Sequence, residues 1–426
     1  MEDGRARAGD GVGLALVSPG ALLRRMLSHG RAVVGKERDR LLAIGGVLAR
    51  TAALAVAMVS VAVAAGPLPE LGVLGGGTGA GGGFAQVLGP RTFEFPRDHG
   101  AHPDYRQEWW YVTGNLDAAN GERFGFELTF FRFALAPAAA SVGSIPLASA
   151  DSESRWRTRE IYMAHFAVTD VGRGRFRFSQ KLSRGAVGLA GAQMPPLHVW
   201  VDDWSLATLG SDDVRWRLRA AQNGYELTLD AQALLQPVLN GDQGFSRKSG
   251  EPGAASYYYS ISRVVVRGQL RRDGTPLDVQ GLAWVDREWG SGPLDRGWDW
   301  FALQLGDGSS LMFYALRSDD GRRDPNSAGT WTSPTGQARR LSSDEVQIEV
   351  LDHWTNSRGD RYPSRWRVRA PSVGVDVDVR PALPNQELTA STRYWEGAVN
   401  VTAAGGTADE KPDGRGYVEL VGYAAP

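Results

Sequence analysis

The sequence predicts an all-β protein in which two tandem antiparallel β-barrel domains follow an N-terminal extension. Short segments rich in aromatic and β-branched residues recur from Arg91 onward, between turns of Gly, Asp, Asn and Pro. No stretch of this region keeps a helical period, and two parts of it resemble each other. A chain of 426 residues also exceeds what one hydrophobic core usually holds. These observations together predict two β domains.

Residues 1–66 are predicted to form an N-terminal extension that contains a signal peptide. A basic stretch at 36–40 precedes an apolar run at 51–65, which ends in small residues. This order is typical of a secretory signal. An uncleaved membrane anchor has a similar composition, and the sequence leaves both interpretations open. In either case we expect the body to be exported, periplasmic or extracellular, with membrane association only through this segment.

Residues 67–91 are predicted to form a linker, because glycine, which dominates this stretch, loses the most backbone entropy on ordering. Two barrel domains are expected at 92–292 and 293–426, with the boundary where turn residues cluster. The segments that most clearly predict strands are 108–116, 124–133, 161–169, 225–229, 264–270, 277–285, 300–305 and 311–317.

An internal repeat supports two similar domains. In each copy an aromatic segment, a glycine turn and a segment ending in arginine predict a hairpin, and two further segments complete the copy. Each copy is therefore expected to close its own antiparallel barrel. The first copy is made of 110–117, 124–132, 263–270 and 279–286, and the second of 300–307, 311–317, 394–402 and 416–421.

The composition excludes several classes of function. The chain has 47 basic and 48 acidic residues, so no broad positive field would attract nucleic acid. It has no cysteine, which excludes disulfides, thiolate metal sites and cysteine nucleophiles. It contains no Walker loop, dinucleotide fingerprint or Gly-x-Ser-x-Gly elbow, so neither a nucleotide cofactor nor serine-hydrolase chemistry of the α/β type is expected.

A loop near the start of the first domain has the composition of a metal cluster. His99 and His102 alternate there with Asp98 and Asp104. The spacing matches no known metal-binding signature. We therefore predict neither a metal nor any other cofactor.

Six motifs occur in an order known from one protein family. They are EWWYVTG at 108–114, AHFAVTD at 164–170, YYYS at 257–260, WVDREWG at 284–290, GWDWF at 297–301 and GYVEL at 416–420. Together they resemble the AttH and carotenoid 1,2-hydratase (hydroxyneurosporene synthase) family over about residues 92–426. The resemblance implies a tandem of lipocalin-like barrels and, from a few family members, hydration of carotenoid end groups.

The strand at 279–286 carries the main catalytic candidate. Hydrating an isolated alkene needs a protonated acid, a stabilised carbocation and one water. A buried carboxyl group stays protonated because burial raises its pKa, and aromatic faces stabilise cations. Alternation puts Trp284 and Asp286 on one face, which we expect to line a barrel interior. The resemblance implies the same pair, and an ion pair between Asp286 and Arg287 is the alternative.

Tyr258 and His165 are the other catalytic candidates. The carotenoid hydratases carry a histidine with a nearby tryptophan where this chain has YYYS, so Tyr258 would orient water or stabilise a cation in their place. A tyrosine ladder across strands is the alternative. His165 shares a face with Met163 and Ala167 and titrates in the useful range, although a buried, hydrogen-bonded histidine fits the same pattern.

Five further residues are candidates for contacting a ligand. Either Glu108 or Glu127 could supply a second acid, although Arg132 lies near enough in sequence to pair with such a glutamate. An aromatic at position 289 could add to cation stabilisation. The ligand-binding candidates are Trp110, Glu127, Phe131, Tyr259 and Trp289.

Two functions follow from these residues. The first is a carotenoid 1,2-hydratase-like enzyme that adds water to, or isomerises, an alkene of an apolar isoprenoid held in a barrel. The second is an exported lipocalin-like carrier of a hydrophobic ligand with no catalysis, which the missing histidine favours. In both cases the expected partner is an apolar small molecule, and fold alone does not decide between them.

Overall fold

The computed structural model describes residues 83–137, 158–210, 212–292, 297–318, 320–405 and 413–424. The predicted signal segment and most of the predicted linker lie outside these residues. Within them the protein is all-β, as predicted, with two curled antiparallel sheets and single-turn 3-10 helices at Arg97–His99 and Pro371–Val373. No helix in the described ranges combines the length and apolarity needed to cross a membrane.

The first sheet has thirteen described strands and curls into a near-barrel in the order β4-β3-β2-β1-β13-β12-β9-β8-β7-β6-β5. The short strands β10 and β11 pair with β12. The strands are β1 (Gln107–Ala118), β2 (Arg123–Ala134), β3 (Glu160–Asp170), β4 (Arg175–Arg184), β5 (Ala190–Gln193), β6 (His198–Val201), β7 (Trp204–Leu209), β8 (Asp212–Gln222), β9 (Tyr225–Ala233), β10 (Val238–Leu239), β11 (Phe245–Arg247), β12 (Ala255–Arg272) and β13 (Thr275–Gly290).

The second sheet has ten described strands and forms a half-barrel in the order β17-β16-β15-β14-β23-β22-β20-β19-β18. The short strand β21 pairs with β22. The strands are β14 (Trp298–Gln304), β15 (Ser310–Leu316), β16 (Ala328–Thr332), β17 (Ala338–Leu341), β18 (Gln347–Thr355), β19 (Arg361–Ala370), β20 (Val375–Pro381), β21 (Glu387–Thr389), β22 (Arg393–Ala403) and β23 (Gly414–Val421).

The strands predicted from the sequence all occur, and most are longer than the prediction. The predictions at 300–305 and 311–317 each run one residue past the observed strand. The longest pair is β12 with β13, whose register shifts at a bulge between Ile261 and Val264. Aromatic and β-branched residues specify these strands because they pack well on a pleated, half-buried surface.

The internal repeat corresponds to a repeated arrangement of strands. In the first sheet, β1 lies between β2 and β13, and β13 pairs onward with β12. In the second sheet, β14 lies between β15 and β23, and β23 pairs onward with β22. The matching sequence segments therefore build the same four-strand unit in each sheet.

The central strands of the first sheet are buried on both faces. One face, here called the inner face, packs into the curl of the sheet through residues such as Trp110, Val112 and Val285. The opposite face, here called the inter-sheet face, packs against the second sheet through a separate cluster of buried residues. That cluster includes Tyr111, Tyr258 and Trp284 of the first sheet and Trp300, Met312, Tyr314 and Tyr417 of the second.

The two sheets approach each other closely at a glycine. A Cβ atom at Gly125 of β2 would lie 2.6 Å from the Cβ of Ala398 and 2.7 Å from the Tyr417 hydroxyl. Any larger residue at this position would push the second sheet away, since real Cβ atoms do not make contacts this short. The absence of a side chain at Gly125 is therefore part of what closes the inter-sheet face.

Candidate active site

Trp284 and Asp286 share one face of β13, as alternation predicts. The expectation that this face lines the interior of a barrel is wrong. Val285, which lies between them in sequence, packs into the inner core, whereas Trp284 belongs to the cluster between the sheets. Because the second sheet covers the outer side of β13, both faces of this strand are apolar. Alternation alone therefore could not identify which of them faces the interior.

Asp286 is held by three hydrogen bonds from neighbouring side chains. The Ser260 hydroxyl and the Trp284 indole N–H donate to its Oδ1 at 2.5 and 2.7 Å. The Tyr258 hydroxyl donates to Oδ2 at 2.5 Å and accepts from the Trp300 indole N–H at 3.0 Å. Trp300 belongs to the second sheet, so the carboxyl group is positioned from both sides of the inter-sheet face.

The local fold of β12 explains this arrangement. Ser260 lies directly opposite Asp286 in the register of β12 and β13, and the alternation of β12 puts Tyr258 on the same side. The bulge after Ile261 then shifts the pattern by one residue, so that Val264 packs into the inner core. The bulge lies immediately beyond the residues that hold Asp286.

Asp286 is buried without a cation. Its side chain belongs to a residue that is 4% exposed, and no arginine or lysine of the described chain forms an ion pair with it. Burial raises the pKa of Asp286 to about 7, against the opposing effect of the three hydrogen bonds that it accepts. A carboxyl group with this pKa is partly protonated at neutral pH and can both donate and accept a proton.

The alternative of an ion pair between Asp286 and Arg287 is wrong. Successive residues of a strand point to opposite faces, so Arg287 lies on the inner face. There its guanidinium donates to Glu108 Oε2 at 2.8 Å and lies 3.9 Å from the ring of Trp110. Glu108 is also paired with Arg132, so the expectation that Glu108 could supply a second acid is wrong.

A second group of acids lies on the same inter-sheet face. Glu127 of β2 and Glu396 of β22 are each 1% exposed. Glu127 Oε1 accepts hydrogen bonds from Thr129 at 3.0 Å and from the Tyr394 hydroxyl at 3.2 Å. Glu396 Oε1 accepts a short hydrogen bond from Tyr111. Neither glutamate forms an ion pair within the described ranges, so the expected pair of Glu127 with Arg132 is not formed.

These glutamates also retain protons more strongly than usual. Burial raises the pKa of Glu127 to about 8, and nearby Glu419 adds to the shift. Burial and the like charges of Glu127 and Glu419 raise the pKa of Glu396 well above its usual range. Glu419 itself is half-buried, and its Oε2 accepts a hydrogen bond from the Trp298 indole at 2.8 Å. The face therefore holds several acids in an aromatic setting.

The inter-sheet face also carries an ion pair. Glu288, two residues beyond Asp286 on the same face, pairs with Lys248 at 2.6 Å. The Lys248 ammonium also lies 5.3 Å from the ring centroid of Tyr258 and 4.8 Å from that of Tyr314. The lysine side chain is 21% exposed, so this ion pair reaches solvent.

His165 and Phe131 also lie on the inter-sheet face. The His165 Nδ1 and the Tyr394 hydroxyl are 2.6 Å apart, and Nε2 is 3.2 Å from Gln180 Oε1. Burial lowers the pKa of His165 to about 4, so the ring is neutral at pH 7. The half-buried ring of Phe131 lies 5.3 Å from that of His165. Through Tyr394, His165 is thus linked to Glu127 rather than to Asp286, and Phe131 packs beside His165.

The remaining three candidates lie on the opposite face. Trp110, Tyr259 and Trp289 belong to the inner core of the first sheet. Trp110 and Tyr259 line a small apolar hollow there, together with Val112 and Val285. Trp289 cannot assist Asp286, because an odd separation along a strand turns the two side chains to opposite faces. The set of predicted ligand contacts is therefore divided between two sites.

The loop with the composition of a metal cluster makes protein contacts instead. His99 Nδ1 lies 2.6 Å from the Tyr259 hydroxyl, and burial lowers the pKa of His99 to about 4. His102 lies between Asp98 and Glu108, at 3.3 and 3.2 Å, with its ring stacked on Trp289. In the described part of the chain, no group of His, Cys, Asp and Glu has the arrangement of a metal site.

Several residues of the site were not among the candidates from sequence. Tyr111, Glu396 and Glu419 have the same alternation signal as Trp284 and Asp286, in the hairpin and closing strands of the two repeats. Combining the repeat with the alternation could have found them, if the inter-sheet face had been known to be buried. Ser260 follows the same rule, because it lies opposite Asp286.

Comparison with known proteins identifies a family and its fold. A sequence profile described as AttH-like matches residues 86–423. A protein from Nitrosomonas europaea that is described as an AttH has a crystal structure with a TM-score of 0.68 and 34% sequence identity, covering 80% of this chain and 100% of that one.

Two further similarities involve named enzymes. The dehydratase asqC of Emericella nidulans is 26% identical over 214 residues, which are 48% of this chain. The chain spans 60% of the length of that dehydratase. The kievitone hydratase of Nectria haematococca has a TM-score of 0.55 over 79% of this chain and 97% of its own. At 14% identity, the second similarity establishes the fold alone.

Proposed function

The chain belongs to the AttH-like family, and on this basis we propose that it catalyses acid-dependent hydration or dehydration of an apolar molecule at the inter-sheet face, with Asp286 as the acid. The observation that carries the proposal is the setting of Asp286. It is a buried carboxyl group with aromatic neighbours, no cation and a pKa raised to about 7. Most buried carboxylates instead pair with a cation, which lowers their pKa and makes them poor acids.

The proton of Asp286 is proposed to enter the reaction directly. In hydration, the protonated carboxyl group gives its proton to an alkene carbon and becomes a carboxylate. The hydrogen bonds from Ser260, Tyr258 and Trp284 then stabilise the new negative charge, because all three donate to the carboxylate oxygens. Dehydration is the same path in reverse, with the carboxylate as base.

The aromatic residues around Asp286 are proposed to stabilise the cation that protonation leaves on the substrate. Tyr111 and Trp284 each make an edge contact with Trp300, at ring centroid distances of 5.1 and 6.3 Å. A desolvated aromatic face contributes about 2 kcal/mol to binding a cation. Such a cluster would favour a tertiary carbocation over an anionic intermediate.

The substrate class is proposed to be an isoprenoid alkene. The resemblance of the six motifs to the carotenoid 1,2-hydratases supports this choice, as does the apolar composition of the cluster that surrounds Asp286. The name of the related dehydratase supports the reaction type rather than the substrate. Acyclic carotenoids are therefore the first substrates to test.

The test is to incubate the full chain with acyclic carotenoids and to detect products that have gained one water by mass spectrometry. We expect the Asp286→Asn variant to lose at least about 100-fold in turnover, the usual contribution of a positioned general acid. The control is Asp230→Asn. It removes an exposed carboxylate of β9 that pairs with Arg217 of β8. Turnover that survives in Asp286→Asn would exclude this mechanism.

A carrier function is the second candidate, and the mainly apolar lining of the inner-face hollow, which includes Trp110, Val112 and Val285, favours it. In this structure the hollow has room for about one water molecule, so it would have to widen to hold a lipid. A carrier would need no acid. Native mass spectrometry of the protein from its own host would then detect a bound lipid, and Val112→Trp would abolish that adduct without affecting Asp286.

A further inference from the structure

Two glutamates of the inter-sheet face hydrogen-bond each other across the two sheets. Glu396 of β22 keeps its proton and donates to the carboxyl group of Glu127 on β2. Each residue is 1% exposed. Their Oε1 atoms accept hydrogen bonds from the hydroxyl groups of Tyr111 and Tyr394. One buried proton therefore joins a strand of the first sheet to a strand of the second.

The strands that carry this pair approach each other closely. Two residues before Glu127, Gly125 of β2 makes the close approach to Ala398 of β22. Ala398 lies two residues after Glu396, and residues two apart in a strand share a face, so one seam contains both contacts. We define the seam by Gly125, Glu127, Glu396 and Ala398. The two carboxyl groups can move apart, or take up water, only if β2 and β22 separate there.

The groups around the pair supply no positive charge that could stabilise two carboxylates. Burial keeps the pKa of the surrounding tyrosines well above the usual range, so they stay neutral. His165 is neutral above about pH 4, and Glu419 can add only a like charge. The titratable groups that face the pair are Tyr111 of β1, His165 of β3, Tyr394 of β22, and Tyr417 and Glu419 of β23.

We propose that the Glu127–Glu396 pair is a proton-operated latch, which joins β2 to β22 while it holds a proton and lets the seam open when both carboxyl groups are ionised. The bond between the two groups is lost with its proton, and two adjacent carboxylates repel each other. In the open seam, water solvates both groups. Opening therefore releases protons, so alkaline conditions favour it.

Other contacts between the sheets do not depend on this proton. Near β12 and β13, the Trp300 indole donates to Tyr258 at 3.0 Å. The Gln304 amide donates to the carbonyl oxygens of Ser262 and Ala283 at 2.7 and 2.9 Å. These bonds join neutral groups, so we expect a local cleft between β2 and β22 rather than separation of the sheets. The cleft would give an apolar substrate access to the inter-sheet face, and this consequence alone rests on the proposed function.

The test uses a single thiol as a reporter, because the chain has no cysteine of its own. Thr113→Cys places the thiol on β1, directly opposite Glu127, where the threonine hydroxyl has no hydrogen-bond partner among the described residues. Thr113 is 1% exposed, so the thiol should react only when the seam opens. The measured quantity is the rate of modification by a neutral thiol reagent, divided by the rate for a free thiol at the same pH.

We expect this ratio to rise at least about 10-fold from pH 8 to pH 9.5, because each released proton raises the opening equilibrium up to tenfold per pH unit. The pKa of Glu127 is about 8, so in this range the closed latch holds mainly the proton of Glu396, and opening releases it.

The decisive comparison is Glu396→Gln in the reporter protein. The amide N–H donates to Glu127 in place of the carboxyl proton and cannot be lost, so we expect the ratio to stay nearly constant. Glu127→Gln should behave in the same way, and either folded variant is sufficient. Glu349→Gln, which removes an exposed carboxyl group paired with Arg369, is the matched control and should keep the full rise.

Three results would overturn the latch. One is a constant ratio in the reporter protein, and another is an equal rise in a folded glutamine variant of the pair. The third is an equal rise for Ala231→Cys, because Ala231 is buried in the inner core and would report unfolding of the whole protein. These measurements need no substrate, so their outcome is separate from that of the turnover assay.

Discussion

Buried carboxyl groups on the two faces of the first sheet differ in their partners, apart from Glu288 of the inter-sheet face, which pairs with Lys248. On the inner face, Glu108 is 0% exposed and contacts the guanidinium groups of Arg132 and Arg287. On the inter-sheet face, Asp286 and Glu127 are almost as buried but contact hydroxyl groups, an indole and no cation. The same strands β1, β2 and β13 carry both sets. The difference therefore comes from the partners and not from the depth of burial.

The pKa directions follow from this difference. Burial alone would raise the pKa of Glu108, but the two arginines and His102 lower it well below its usual range. Without such partners, burial raises the pKa of Asp286 to about 7 and that of Glu127 to about 8. The inner face thus holds permanent charges that fix the structure, and the inter-sheet face holds protons that can be exchanged.

The largest expected effect is on stability, from breaking the inner network. We expect Arg132→Met to lower the free energy of unfolding by up to about 3–5 kcal/mol, because it removes one of the two buried guanidinium groups that compensate the charge of Glu108, and the same group pairs with Glu160. Urea denaturation measures this loss.

The matched change on the other face is Asp286→Asn. This substitution removes no ion pair and eliminates a charge that is costly to bury. We therefore expect the free energy of unfolding to change by about 1 kcal/mol or less. Equal losses in the two variants would show that the faces do not differ as described.

The next effect is the dependence of stability on pH. Groups whose pKa is raised by folding stabilise the protein fully below their unfolded pKa, near 4, and this contribution is lost as pH rises through the folded value. For Asp286 and Glu127 the window is from about pH 4 to pH 7–8. His99 and His165 act in the opposite direction up to about pH 6.5, because their pKa is lowered to about 4 by burial. We therefore expect the free energy of unfolding to fall between about pH 6.5 and pH 8.

Each such group contributes a slope of roughly 1 kcal/mol per pH unit. Glu108 acts in the opposite direction, since its contribution is present above its unfolded pKa and is lost as pH falls below it. Denaturation across this range should give a shallower slope for Asp286→Asn than for the wild type. Stability that is constant or rises from about pH 6.5 to pH 8 would contradict the comparison.

The smallest effect is expected from Tyr258→Phe. This change removes the hydrogen bond to Asp286 Oδ2, which favours the charged carboxylate, so the pKa of Asp286 should rise further, by less than about one unit. The activity of the variant should persist to higher pH. Tyr314→Phe is the control, because Tyr314 lies on the same face but contacts Ser246 instead. A fall in the pKa in Tyr258→Phe would reverse the assigned role of this tyrosine.

The sequence was sufficient to predict the fold and to predict that Trp284 and Asp286 lie on the same face of a strand. Each segment that was predicted to be a strand from its alternation and flanking turns is a strand in the structure. The repeat also matches the strand order around β1 and β14. Alternation also put Trp284 and Asp286 together. It did so because a period of two is a local property of the strand and does not depend on what covers it.

Two features could not be predicted in this way. Which face of β13 is the interior depends on the packing of the second sheet. The sequence of the strand alone does not indicate this face. The partners of Asp286 and of Glu127 come from distant parts of the chain, such as Trp300 and Tyr394. Composition near Glu127 indicated Arg132 as its partner, but Arg132 points to the inner face and pairs with Glu108.

The central claim is that Asp286 keeps its proton near neutral pH because it is buried without a cation. The direct measurement is a pH titration of the full chain labelled with carbon-13 in its aspartate carboxyl groups, with the Asp286 signal assigned by its loss in Asp286→Asn. The claim predicts a midpoint of about 7. A midpoint at or below about 4, the ordinary value for aspartate, would contradict it.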